Sequence, residues 1–191
     1  MHCALAAAVL LSAAPRVDWS VFPEGVTTLK VSSANNRQGS TSERVYAVTR
    51  KGTSIELEVR EKKEKKMRAG PPTESAQRFT APTLSEPARD FDGQSTRSFD
   101  CTKRKVLVHS ADLHFDPHGP EECEGAFLKA RSRSPKTVEA LSCVLVADGA
   151  RDPDQVLIFV PGKTVESLFE DNDCTKSAGL RFPPGGGTAP N

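Results

Sequence analysis

The chain has 191 residues, with 26 Lys+Arg against 25 Asp+Glu and five cysteines. Val, Leu, Ile and Phe together occupy 41 positions, about 21% of the chain, just above the ~20% level below which a core cannot be built. A formal charge of +1 lacks the basic surplus of a dedicated nucleic-acid binder, and no apolar run of about 18 residues is present to form a transmembrane helix. These numbers leave a small β-rich protein whose thin core calls for cross-links.

The first element is an apolar stretch over residues 4–14. It is too short to span a bilayer and has the length of the central region of a signal peptide. Ser12 and Ala14 supply the small residues that a cut after Ala14 requires, so residues 1–14 read as a signal peptide. The competing reading is a buried N-terminal helix, with Trp19 and Phe22 packed beside it. Cleavage would remove Cys3 and leave an even set, Cys101, Cys123, Cys143 and Cys174. That parity fits disulfides and an oxidising compartment; the alternative is four free thiols in the cytosol. The set contains no Cys-x-x-Cys pair, which disfavours a structural zinc site or a redox pair.

Residues 15–66 read as a β-meander. Val26–Val31 and Arg44–Thr49 alternate apolar with polar, the second with Val45, Ala47 and Thr49 on one face. In Ser54–Arg60 the apolar Ile55, Leu57 and Val59 oppose Glu56 and Glu58. The Arg50-Lys51-Gly52-Thr53 link suits a hairpin turn with glycine at positive φ. Residues 67–98, broken by Pro71, Pro72, Pro82 and Pro87, read as a flexible Pro/Ser/Thr-rich linker.

Residues 99–180 read as a disulfide-bonded β module. Its strands are Lys105–His109, Thr137–Ala147 (ended by Asp148-Gly149) and Gln155–Val160, whose continuous apolar run suits a central strand. Thr164–Phe169 reads as one helical turn. A disordered Gly/Pro tail over 181–191 would close the chain. The expected fold class is all-β: a small disulfide-stabilised β-sandwich-like module preceded by a short β-meander and a Pro-rich linker.

Few motifs carry chemistry. Gly162-Lys163-Thr164 matches the end of a phosphate loop, but the glycine that loop needs five positions earlier is Leu157; the segment reads as a turn. His109, Asp112, His114, Asp116, His118, Glu121, Glu122 and Cys123 are potential metal ligands. Pro117 prevents His114 and His118 from sharing a helical face, so no metal site is assigned. A secreted metal-binding protein or hydrolase using His109, His114 and His118 stays as the alternative. From Arg50 to Arg68 eight basic residues face four acidic ones, a surplus of +4. Lys62, Lys63, Lys65 and Lys66 are its densest part and the candidate polyanion site. No Gly-x-Ser-x-Gly elbow or activated Cys–His pair occurs, and no cofactor motif is present, so neither catalysis nor a cofactor is expected.

Ser98-Phe99-Asp100-Cys101-Thr102-Lys103, Gln155-Val156-Leu157-Ile158-Phe159-Val160-Pro161 and Asp173-Cys174 resemble the secreted surface-antigen modules of coccidian parasites. Asp18-Trp19-Ser20-Val21-Phe22-Pro23-Glu24-Gly25 is similar to the opening of another secreted parasite group, the "family A" type. The resemblance implies a secreted or cell-surface protein used in host-cell contact or immune-facing interaction, not catalysis. Its partner would be an extracellular protein or an anionic glycan, with no nucleic acid. Residues 182–191 carry no hydrophobic anchor signal, so a lipid anchor is not expected. For the cysteines, joining the two ends of the module favours a nested pairing, Cys101–Cys174 around Cys123–Cys143. The crossed alternative, Cys101–Cys143 with Cys123–Cys174, would link sheet to sheet.

Overall fold

β-Branched and alternating segments dominate the chain, and they become strands almost throughout. The computed structural model describes residues 16–35, 40–65, 71–110, 113–116, 127–130, 135–171 and 176–183. A 3-10 turn at Trp19–Val21 precedes β1 (Gly25–Asn35), β2 (Ser40–Lys51), β3 (Ser54–Lys65), β4 (Thr73–Ala81), β5 (Ala88–Arg89) and β6 (Thr96–Ser110). Then follow β7 (Leu113–Asp116), β8 (Phe127–Ala130), β9 (Lys136–Ala147), β10 (Ala150–Phe159), β11 (Thr164–Asp171) and β12 (Lys176–Phe182). The fold is all-β and disulfide-stabilised.

A ten-stranded mixed sheet runs β10-β9-β6-β12-β11-β1-β2-β3-β4-β5, and β5 also pairs with β6. One side of β6 takes β9 along residues 97–108. The other side is shared between β5, at residues 96 and 97, and β12, at residues 109 and 110. The sheet therefore bends back over itself like a sandwich, with β6, β9 and β10 covering β1 and β2. Strands β7 and β8 form a separate two-stranded sheet.

Local turn chemistry sets the registers. Gly52, at φ +60, occupies the first position of the two-residue Gly52-Thr53 loop between β2 and β3, the Gly-X order of a type II′ turn. Asp148 and Gly149 both take positive φ, 51° and 79°, the pattern of a type I′ hairpin turn. Asp148 also accepts the Thr96 N–H at 2.6 Å, which fastens the β9–β10 turn to the start of β6.

Five rings make the centre of the core. Trp19 and Phe22 from the N-terminal turn, Tyr46 from β2, Phe99 from β6 and Phe159 from β10 form a chain of contacts with centroids 5.2–6.5 Å apart. All five are almost fully buried. Tilted and edge-to-face pairs of this kind add roughly 0.5–1.5 kcal/mol each beyond area burial.

Several sequence expectations are corrected here. Of the expected 67–98 linker, the described residues 71–98 are structured: β4 pairs with β3 along nine positions, and β5 joins β4 to β6. Within that span, Glu86 O accepts the Trp19 indole N–H at 2.8 Å and Leu84 O accepts the Trp19 backbone N–H at 2.9 Å. The two expected bodies share one sheet and one core, because parallel pairing of β1 with β11 fuses them. Residues 164–169 belong to a strand rather than a helical turn; the inward-facing Val165 lies beside Leu29 in that parallel ladder. Strand β10 ends the sheet order instead of lying at its centre, yet it is apolar because it packs across the opposite layer. Arg181 and Phe182, expected in the tail, close β12. In β2 the buried face carries Tyr46 and Val48, not Val45 and Ala47.

The nested cysteine pairing is also excluded. Cys101 and Cys143 form a disulfide with Cα atoms 4.0 Å apart. They are direct neighbours in the β6–β9 ladder, so the bond joins adjacent strands of one sheet rather than sheet to sheet. Its 42-residue separation corresponds to about 3–4 kcal/mol of loop-closure stabilisation. Cys123, Cys174 and the signal-like residues 1–14 lie outside the described residues.

Phe22→Ala opens a hole at the junction of the N-terminal turn with β6 and β10. It should cost about 3–5 kcal/mol, read as a lower denaturant midpoint of the fluorescence of Trp19, the single tryptophan.

Candidate functional site

The inward face of the large layer changes character along its length. One end is filled by the aromatic cluster. At the other end, Ser33 on β1, Ser42 on β2 and Ser167 on β11 are too small to reach the opposing layer. Layers about 10 Å apart with such short side chains leave an opening, a cleft of about 770 Å³. That is within the roughly 300–1,000 Å³ of small-ligand sites.

Part of the wall is apolar, with Leu29 and Val31 from one layer, Val106, Leu157 and Ile158 from the other and Leu180 from β12, and Arg104 of β6 adds a cation to the lining. Leu107 and Val156 stand on the rim, 57% and 53% exposed. Against these walls lies a fixed polar group. Gln155 Oε1 accepts from Arg44 Nη1 and from Tyr46 Oη, both at 3.2 Å. Arg44 Nη1 also donates to the Tyr46 oxygen at 3.3 Å, and Arg44 Nη2 pairs with Glu61. Gln155 reaches across from β10, so the group spans the two layers.

Electrostatics hold these groups in fixed charge states. Burial opposes the Arg44 charge, but hydrogen bonds to Glu61 and Tyr46 outweigh it and keep the guanidinium above its ordinary value. Burial raises the Tyr46 phenol against the opposing effect of Arg44, so it remains a neutral donor. Burial would raise Glu61, yet hydrogen bonds from Arg44 and Lys63 hold it below its ordinary value. His109 lines the same cleft, and its buried Nδ1 has no hydrogen-bond partner among the described residues.

The site residues read from sequence divide unevenly. His109 is in the cleft; His114 lies in β7, whose side chains are not described, and His118 lies outside the described residues. Among the described residues no group of three His, Cys, Asp or Glu side chains is placed to hold a metal ion. Lys62 and Lys63 sit in β3, but both face carboxylates. Lys62 lies 3.4 Å from Glu74 and 3.6 Å from Glu64, and Lys63 lies 3.1 Å from Glu61. Lys65 ends β3 opposite Ser40, and Lys66 lies outside the described residues. The local basic surplus is thus partly neutralised by Glu74 on the neighbouring strand and by Glu61 and Glu64 on β3 itself.

Sequence reasoning missed Arg44, Tyr46 and Gln155. A trace of them was present, since Arg44 and Tyr46 share a strand face with the buried Val48; Gln155 had no signal at all. No protein-family model, curated protein or solved structure matches this chain.

The Arg44–Glu61 pair makes stability depend on acid. A carboxyl lowered on folding contributes fully above its ordinary value of 4.5 and loses that contribution as pH falls through the lower folded value. Urea midpoints measured across this range should drop for the wild type. Glu61→Gln should be weaker at neutral pH and show a smaller acid-side drop.

Proposed function

We propose that this chain is a secreted, non-enzymatic binding protein whose recognition site is the inter-sheet cleft. The cleft carries the reading: it is open, lined by apolar residues together with Arg104 and His109, and floored by a polar group with fixed charge. It suits an extracellular protein that inserts an apolar side chain beside a hydrogen-bonding group. Host-cell contact is the use that the sequence resemblance implies. Secretion is supported by the apolar segment over residues 4–14 and by the Cys101–Cys143 bond, since such bonds persist in oxidising compartments. No helix among the described residues is long and apolar enough to cross a membrane. An anionic glycan at the end of β3 is the less favoured partner, because Lys62 and Lys63 are already paired.

Passed through a eukaryotic secretory pathway, the chain should emerge cut after Ala14 with Cys101 bonded to Cys143. The dye 8-anilinonaphthalene-1-sulfonate should bind the folded protein, and Ser167→Phe, which fills the cleft, should weaken that binding about tenfold. Cytosolic retention with both thiols free would overturn secretion; dye binding indifferent to Ser167→Phe would overturn the site. The Nδ1 of His109, unpaired among the described residues, favours one other reading, metal binding with His114 and His118. Stoichiometric zinc that disappears in His114→Ala would replace the binding-module proposal with that one.

A further inference from the structure

Among the described residues, β4 and β10 each leave one side open along most of their length, as do β6 over residues 98–108, β12 over residues 176–180 and the outer sides of β7 and β8. On β10 the open side is interrupted by Pro153 and a register break between Arg151 and Val156, devices that keep sheet edges from pairing. Strand β4 has no such protection. On the side away from β3 only Thr80 is paired, to Arg89 of β5, and residues 73–79 meet no other described strand. Residues 73–78 are all exposed, and the segment contains no proline, lysine or bulge.

The phase of the ladder determines which backbone groups point outward. The two-residue Gly52-Thr53 loop makes Lys51 and Ser54 a hydrogen-bonded pair. Alternation then turns even-numbered residues of β3 toward β2 and odd-numbered ones toward β4. In β4 the odd-numbered residues face β3, so Glu74, Ala76 and Arg78 offer their N–H and C=O groups to the open side.

We propose that β4 is the seam of a homodimer, in which a second copy of this chain adds its own β4 antiparallel about a two-fold axis at Ala76. In that register Ala76 exchanges two backbone hydrogen bonds with the partner's Ala76, a small side chain on the axis. Glu74 stands opposite the partner's Arg78, and Ser75 opposite the partner's Gln77. Competing registers are worse. Centring on Glu74 or on Arg78 sets like charges opposite each other, and centring on Ser75 or Gln77 leaves both charges without an opposite partner.

The charges beside the seam extend the pattern. Glu74 lies 3.4 Å from Lys62, and Arg78 lies 3.7 Å from Glu58 on the same face. Across the axis the row becomes Lys62, Glu74, the partner's Arg78 and the partner's Glu58, alternating in sign, and symmetry supplies it twice. A two-fold seam uses the same edge on both copies, so assembly stops at the dimer. The cleft takes no lining residue from β4. Dimerisation therefore leaves two clefts open, and a paired binding protein gains avidity on a surface that offers repeated partners.

Sedimentation of the purified full chain over a concentration series tests the seam. The wild type should show a reversible monomer–dimer equilibrium. Glu74→Arg and Arg78→Glu should each weaken the dimer about tenfold or more, since symmetry applies every reversal twice. The double variant carrying both reversals should dimerise again. Ala76→Pro, which removes the axial N–H without touching the β3 ladder, should leave only monomer. Unchanged Trp19 fluorescence and an intact Cys101–Cys143 bond show that each variant is folded. A wild type that stays monomeric, a dimer that tolerates both single reversals, or a double variant that fails to recover would overturn the seam. None of those results would bear on the cleft, which dye binding tests separately.

Discussion

Everything in this fold depends on the aromatic cluster that joins the N-terminal turn to strands far along the chain. With strongly apolar residues at about a fifth of the sequence, the core cannot be built from many aliphatic layers. A few large rings supply the buried area instead, at roughly 150–250 Å² each. Trp19, Phe22, Tyr46, Phe99 and Phe159 come from both ends and the middle, so neither half of the chain holds enough of them to close a core alone. The indole hydrogen bond from Trp19 to the Glu86 carbonyl fixes the same cluster to the connection between β4 and β5.

Topology follows from that constraint. Once Phe22 and Phe159 are in edge contact, β1 and the C-terminal strands lie in the same place, and β1 can pair with β11 in parallel over eight residues. Such pairings are distant in sequence and close large loops, the kind of contact that slows folding. The Cys101–Cys143 bond lies within the β6–β9 ladder, where it holds one long-range pairing in register and lowers the entropy of the unfolded chain.

The cleft and the aromatic cluster are two ends of one interior. Where side chains are large the layers are filled, and where Ser33, Ser42 and Ser167 replace them the layers stay apart. A polar group then occupies the boundary, where the half-buried Arg44 and Glu61 on the inward face pair with each other. Gln155 supplies the acceptor from the opposite layer, so the group that lines the opening also ties the two layers together.

Local patterns in the chain encode the all-β class, the hairpin at Gly52, the turn at Asp148-Gly149 and the need for a disulfide. Each of these rests on local alternation, on turn residues with particular φ values, or on cysteine parity. Tertiary structure alone decided the rest. Pro71 and Pro72 masked β4, whose exposed residues alternate in neither direction because only Phe79 and Ala81 reach the core. Val45 and Ala47 suggested a face that Tyr46 and Val48 took instead, since the aromatic cluster draws in the larger ring. Thr164–Phe169 has no helix-breaking residue, and only the β1 ladder made it a strand. The partner of Cys101 depended on which strand lies beside β6, and the cleft on where small residues from three strands meet. Both are facts of neighbourhood between residues far apart in the chain, and no local pattern encodes them.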